Sequence, residues 1–490
     1  MPICCIEKRR LRPRSCVAQR FEMLTYWLIC SASQSVARPW LTARCLFFYC
    51  PHNFIGSSKM NVQINGGMII DPGHYEGPGD ILVVDGKIAA VHRGDSQAAS
   101  QEASSLPYRI IDARNKIVTP GLIDMHVHLR EPGFEHKETI ETGCRAAVCG
   151  GFTAVCCMPN TRPVNDNANV TEYILIRAAK AGLARVYPAA AITLGLEGKA
   201  PSDYEELKKA GVVAISDDGR PLLDSRLMRR ALEKARALGL AVISHCEDPY
   251  LAEGGVVNEG PVAAELGLRG VPNASESIMV MRDIALSELT GAPVHIAHVS
   301  TRESVRDIRE AKARGVAVTA ETAPHYFLLT EEAVRTHGAD AKMNPPLRSE
   351  KDRLAVRQGL SDGTIDCIAT DHAPHAPEEK SAGIEKAPNG IIGLETALAV
   401  SLSLVADGML SMAGLIAKLA TNPARVLRVP SGLRLGMPAD ITIIDPNHEF
   451  TIEPSLFKSR SRNSPFVGTK AKGKAVLTMV GGRIAFEEFI

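Results

Sequence analysis

Five short apolar segments between residues 117 and 371 each run into a side chain that can bind a divalent cation. The first, from Ile117 and Val118 through Gly121 and Leu122, carries His126 and His128 on either side of Val127. Val212 to Ser216 precedes Asp217 and Asp218, Ala241 to Ser244 precedes His245, Val294 to Ala297 precedes His298, and Ile365 to Thr370 precedes Asp371. Residues two apart in a strand point to the same side, so the imidazoles of His126 and His128 can converge on one ion. Histidine and carboxylate are the ligands zinc takes when it keeps an open position for water. One His-x-His pair is weak evidence, whereas five chemically alike strand ends restrict the fold.

Between residues 117 and 370, further β-branched and apolar runs (Thr153 to Met158, Val186 to Ile192, Val316 to Ala320) alternate with amphipathic stretches such as Ser225 to Leu238 and Arg302 to Arg314. Alternation of this kind over about 250 residues is the footprint of an α/β fold of the (β/α)8 TIM-barrel type, and eight candidate strands can be placed. In such a barrel the active site gathers at the C-terminal ends of the strands, where every candidate ligand falls. Residues 60 to 115 and 431 to 490 are instead strand-rich and punctuated by Gly66-Gly67, Pro72-Gly73, Asp85-Gly86 and Gly481-Gly482. Two β segments at opposite ends of a barrel bury their apolar faces by packing together, which predicts one small β-sandwich built from both termini. The expected organisation is an N-terminal extension (1–59), the N-terminal half of the β-sandwich (60–115), the barrel (116–425) and the C-terminal half of the β-sandwich (426–490).

With 56 Lys and Arg against 55 Asp and Glu, the 490-residue chain has no basic footprint for nucleic acid. No apolar run approaches the roughly 18 residues that cross a bilayer, so a membrane partner is not expected. The first 59 residues hold six of the twelve cysteines, both tryptophans and the basic cluster Arg9, Arg10, Arg12 and Arg14. They read either as a targeting segment or as an extension upstream of a start at Met60, with disorder expected. The other cysteines (Cys144, Cys149, Cys156, Cys157, Cys246, Cys367) show no paired C-x-x-C spacing and read as buried free thiols of a cytoplasmic protein.

The order of segments resembles the amidohydrolase superfamily, and within it the bacterial, aspartate-bridged (type I) dihydroorotases. The resemblance rests on Asp124-Met-His126-Val-His128-Leu-Arg130-Glu131-Pro132-Gly133, Met158-Pro159-Asn160-Thr161, Ser216-Asp217-Asp218-Gly219, Ser244-His245-Cys246-Glu247-Asp248, His295-Ile-Ala-His298-Val-Ser300, Met343-Asn344-Pro345-Pro346-Leu347-Arg348 and Ala369-Thr370-Asp371-His372-Ala373-Pro374-His375. It covers the chain from about residue 60 to the end. It implies reversible, zinc-dependent cyclisation of N-carbamoyl-L-aspartate to dihydroorotate, a step of pyrimidine biosynthesis. By resemblance, His126, His128 and Asp371 hold one zinc, His245 and His298 a second, and Asp218 bridges them. Asp371 is then also the catalytic base. Many relatives place a carboxylated lysine at the bridge, but no lysine occurs from Ala210 to Gly219, which leaves fuller occupancy to the first zinc than to the second. Asp217 competes with Asp218 for the bridging role.

Arg130, two residues beyond His128, can grip a substrate carboxylate with two parallel bonds, its alternative being an ion pair with Glu131 or Glu135. The resemblance adds Asn160 and His375 at that carboxylate, and Asn344 with the backbone of Asn389 and Gly390 at the ring amide. His128 is implied in both metal and substrate binding. Loop capping is the alternative for Asn160, Asn344 and His375. His295 should turn away from the metals as a packing or supporting group, His136 and His337 should be surface groups, and residues 376–388 should form a mobile cover. Rival readings are a cyclic amidase acting on hydantoins, dihydropyrimidines or allantoin, and a catalytically silent scaffold for aspartate transcarbamoylase. A homo-oligomer, with or without that transcarbamoylase, is expected.

Overall fold

The computed structural model describes residues 61–94 and 108–488, and the expectations for residues 1–59 lie outside them. At the N-terminal side, Asn61–Asp71 (β1), Tyr75–Val84 (β2), Lys87–Arg93 (β3), Tyr108–Asp112 (β4) and Ile117–Pro120 (β5) are strands with aliphatic residues on one face. The chain then passes through Gly121 into Leu122–Val127 (β6). At Gly121 an added Cβ would lie 2.1 Å from Thr153 Oγ1, so only glycine lets the two strands approach here.

The barrel strands continue with Phe152–Cys157 (β7), Arg185–Ala190 (β8), Ala214–Ile215 (β9) and Ala241–Ser244 (β10). After a short two-stranded excursion, Val257–Asn258 (β11) with Gly270–Val271 (β12), come Val294–Ile296 (β13), Val318–Thr322 (β14) and Cys367–Ile368 (β15). The eight barrel strands are parallel neighbours in the order β15-β14-β13-β10-β9-β8-β7-β6. Closure runs through the bridge Val127 to His372, with the His128 amide donating to the His372 carbonyl at 2.8 Å.

Strand alternation splits the apolar residues into two layers. Ile123, Met125, Ala154, Cys156, Ala189, Ala214, Ile243, Ala297, Cys367 and Ala369 pack together inside the barrel. Leu122, Val155, Cys157, Ile215, Val242, Ile296 and Ile368 face the helices instead. The helix Ser225–Leu238 shows why these segments are helical: Asp224 accepts from the Arg226 amide at the start, and Gly239 ends it in the left-handed conformation. Its buried face, Met228, Ala231, Leu232 and Ala235, follows the 3.6-residue period, and burying Leu232 alone is worth about 2 kcal/mol. The helix Arg302–Ala313 is capped by Thr301 and ends one residue short of the expected Arg314.

The C-terminal strands Ile441–Thr451 (β16), Lys470–Val480 (β17) and Arg483–Glu487 (β18) join the N-terminal ones in one continuous sheet, β18-β17-β16-β5-β1-β2-β3, with β4 beside β1. The termini therefore pack together as expected. Val62, Ile64, Ile81, Val118, Ile441, Ile443 and Leu477 form its core. The sheet takes in Ile117–Pro120, so it hands over to the barrel at Gly121. Among the described residues no helix is long and apolar enough to cross a membrane.

Candidate functional site

An irregularity in β6 aims His126. The register of β6 against β7 slips between Asp124 and Val127, and the extra residue turns His126 into the barrel mouth. Asp124, fully buried, accepts from the amides of His126 and Thr370, which ties β6 to the end of β15. Burial pushes its carboxyl up to about 7. Asp371 then lies beside the His-x-His pair, with its Oδ1 2.9 Å from His128 Nε2 and 3.7 Å from His126 Nε2.

Asp218 stands between the two halves of the cluster. Its Oδ1 is 3.3 Å from His126 Nε2, 3.5 Å from His245 Nδ1 and 3.8 Å from His298 Nε2, while Oδ2 is 3.6 Å from His128 Nε2. His245 Nδ1 and His298 Nε2 lie 2.7 Å apart. Alternation decides between the two aspartates: Ala214 faces the barrel interior, so Asp218 does too, and Asp217 faces outward. Asp217 accepts from the amide and hydroxyl of Thr193 at 3.0 and 2.6 Å, and burial pushes its carboxyl up to about 6. His298, one residue after the inward-facing Ala297, is out of step; its φ of 34° brings the ring back toward the cluster.

The donor set fits a divalent cation. Ligands about 2.1 Å from one tetrahedral ion sit roughly 3.4 Å apart, which the spacings above bracket. His126, His128 and Asp371 form one candidate group, and His126, Asp218 and His298 another, with His245 adjoining the second. His126 Nε2 is fully buried with no well-formed hydrogen bond, as expected of a lone pair aimed at an ion. Burial opposes charge on Asp218 and Asp371. Even so, His126, His245 and His298 around Asp218, and His128, His126 and His298 around Asp371, hold both carboxyls well below the usual range.

Beside this cluster, Arg130 donates through Nε to the Pro374 carbonyl at 3.1 Å, and its Nη2 lies 3.2 Å from His375 Nε2. Burial brings the guanidinium down to about 10, still cationic at neutral pH. Glu131 does not pair with it: that carboxylate binds Arg177, Tyr173 and the Ile140 amide, and Glu135 accepts from Gly133. His375, kept neutral by burial and by Arg130 and Lys137, donates to the Asn389 carbonyl at 2.8 Å. Asn160 accepts from His128 Nδ1 at 2.9 Å and donates to Asp218 Oδ2 at 3.3 Å, so both ends of its amide are engaged. Asn344 bonds Glu247, which faces His245 Nε2 at 3.5 Å.

The expected free backbone groups at Gly390 are not free. Its amide donates to the Lys342 carbonyl, and its carbonyl accepts from Lys380 and Asn463. With φ at 115° and an added Cβ only 2.4 Å from that of Ala373, glycine is required there by geometry. Nor are residues 376–388 a loose cover. Pro377–Lys380 is a helical turn, Glu379 pairs with Lys137 at 2.8 Å, and the buried Lys380 ammonium clamps the carbonyls of Pro388 and Gly390.

His136 and His337 are exposed, as expected. Two buried groups escaped the sequence reading. Glu321 bonds His126 Nδ1 at 2.7 Å, and His325, pushed down to about 4 by burial, lies close enough to feel the charge of Asp371. A charged residue inside the short strand Val318–Thr322, whose other members are Val, Ala and Thr, was the available signal for Glu321. His295 is not among the clustered ligands; as expected it is a supporting group, facing Glu321 at 3.3 Å inside the barrel.

Residues 115–304 match the family described as Dihydro-orotase-like. A dihydroorotase of Desulforapulum autotrophicum is 57% identical over 431 residues, covering 88% of this chain and 100% of the relative. One of Syntrophus aciditrophicus is 51% identical over 433 residues, with the same coverage. Among solved structures, the L-hydantoinase (dihydropyrimidinase) of Arthrobacter aurescens superposes with a TM-score of 0.76 at 26% identity, covering 87% of this chain and 96% of its own. The dihydropyrimidinase of Brevibacillus agri gives 0.74 at 23% identity over 87% and 95%.

Proposed function

The chain belongs to the dihydroorotase family of the amidohydrolase superfamily, hydrolases of cyclic amide bonds, and from that premise we propose which of its residues open and close the ring. The observation that carries the proposal is the convergence of His126, His128, Asp218, His298 and Asp371 beside the Arg130–His375 pair. In this reading His126, His128 and Asp371 would hold one zinc and His245 and His298 a second, with Asp218, which faces histidines of both groups, as the carboxylate they would share. Zinc in such a centre acidifies water toward neutral pH and polarises the carbonyl under attack.

The protein's own groups supply the rest. Arg130, with two nitrogens on one face and a permanent charge, grips the carboxylate that both forms of the substrate carry. His375 turns its Nε2–H from the Asn389 carbonyl to the same carboxylate. Asn160 joins them by giving up one of its two present bonds; in the resting protein it orients His128 and Asp218. Asn344 faces the ring amide, with the Asn389–Gly390 turn as the wall of that subsite. Asp371, held ionised by the surrounding imidazoles, takes the proton of the attacking water and returns it to the leaving ring nitrogen. Ring closure runs these proton movements in reverse.

The test is ring opening of L-dihydroorotate, followed by loss of the ring-amide ultraviolet absorbance, with hydantoin as the competing substrate. Loss of turnover with chelator, its return with zinc, and a large KM increase in Arg130→Ala are the expected results. Turnover of hydantoin in place of dihydroorotate would refute the assignment. Cytoplasmic location agrees with the free thiols of Cys144, Cys156, Cys157, Cys246 and Cys367. Homo-oligomerisation, and association with an aspartate transcarbamoylase, are checked by gel filtration of the chain alone and mixed with that enzyme.

A further inference from the structure

Glu321 sits inside the barrel, 1% exposed, with each carboxylate oxygen committed to a histidine. Oε1 is 2.7 Å from His126 Nδ1, and Oε2 is 3.3 Å from His295 Nε2. His295 Nδ1 in turn lies 2.8 Å from the Thr319 hydroxyl. The chain Thr319, His295, Glu321, His126 thus links β14, β13 and β6 beneath the candidate metal centre.

Donor and acceptor roles along this chain are determined by the carboxylate at its middle. A carboxylate only accepts, so His126 Nδ1 must carry hydrogen, and the lone pair of the neutral ring then stands at Nε2. That Nε2 is the atom facing Asp218 and Asp371 at 3.3 and 3.7 Å. His295 Nε2–H likewise donates to Glu321 and holds its plane, which leaves Nδ1 of the neutral ring to accept from the Thr319 hydroxyl. His128, by contrast, has only the neutral amide oxygen of Asn160 at its Nδ1. The surrounding interior is Ala, Met, Cys and Ile, and burying a carboxylate among them is costly unless its orientation does something an apolar residue could not.

We propose that Glu321, itself oriented by His295, is a positioning residue that fixes His126 as a neutral ligand through Nε2 and so sets the metal affinity of the centre. The proposal rests on the metal reading given above. A carboxylate behind a ligating imidazole raises its basicity and locks its ring, and removal of such partners costs about 10- to 100-fold in metal affinity.

The test is chelator competition for zinc on the purified full-length chain, wild type against Glu321→Gln and His295→Leu, with the cobalt-substituted absorption spectrum and the melting temperature of the metal-free protein alongside. Glu321→Gln should weaken zinc by about 10- to 100-fold and alter the cobalt bands, and His295→Leu should do the same to a smaller degree. Unchanged zinc affinity and cobalt spectrum, with only the metal-free melting temperature lowered, would reduce Glu321 to a structural role and overturn the proposal. Should Glu321→Gln fail to fold, His295→Leu decides by the same criterion. A wild-type chain that binds no zinc or cobalt would overturn the metal reading itself, and this inference with it, on the wild-type measurement alone.

Discussion

The mouth of the barrel and the sheet made from the two termini obey opposite rules. In the sheet, the core is aliphatic, and the two non-glycine residues with positive φ, Asp85 and Asn115, sit in turns where Asp and Asn tolerate it. At the mouth, Arg130, His298 and Asp371 adopt φ values of 61°, 34° and 49°, a conformation costly for such side chains. Four buried imidazoles crowd the buried Asp218 and the partly buried Asp371 there, and His126 Nε2 lacks a well-formed bond. One region is optimised for folding; the other is held in an unfavourable arrangement by everything around it. Strain and unsatisfied polarity of this kind mark the chemistry.

That contrast can be broken by mutation. Asp371→Ala should lower kcat by about a thousand-fold or more while circular dichroism and melting remain near wild type, since it removes the base and a ligand together. A comparable loss of fold instead would mean the mouth is a stability element like the sheet. Arg130→Ala should cost about 100-fold in kcat/KM, mostly as KM, with Arg130→Lys recovering only a fraction because a single ammonium cannot form the paired contact. On the other side, Ile81→Ala, 1% exposed in the sheet core, should cost about 2–4 kcal/mol in denaturant unfolding and leave kcat unchanged. A kcat change as large as the stability change would show that the two regions are not independent.

The smallest effect sharpens the boundary between them. Glu395, which accepts from the amides of Lys458 and Ser459, is pushed up from 4.5 to about 7 by burial. The folded state then holds a proton that the unfolded state has released between these values. Stability should therefore fall as pH rises from about 4.5 to about 7, by of the order of 2 kcal/mol, and stay low above that. Urea unfolding at pH 5 and pH 8, wild type against Glu395→Gln, measures the drop, and an equal pH dependence in the two proteins would refute it.

Much of the site was legible because it is periodic. Alternation along short apolar strands put His126, His128, His245 and Asp371 at strand ends, and alternation in the structure also selects Asp218 over Asp217. What escaped was whatever depends on a break in that period or on a partner far away in sequence. His298, expected among the ligands, reaches the cluster through a positive φ that the sequence does not show, His295 takes the supporting role expected of it but through a partner, Glu321, that was not foreseen, and the 376–388 segment is pinned by Lys380 and Lys137. Glu321 lies 195 residues from His126, and no local pattern pairs them.

By itself, then, the sequence determined what local physics governs: which stretches are strand or helix, that eight of them close a barrel, and which chemical groups stand at the strand ends. The tertiary structure alone decided which nitrogen of each imidazole is presented, which backbone groups near Gly390 are already consumed, and which buried carboxylate backs a ligand. Those are choices among contacts between residues tens to hundreds of positions apart. Their energies depend on burial and on a few tenths of an ångström, neither of which exists until the chain has closed on itself.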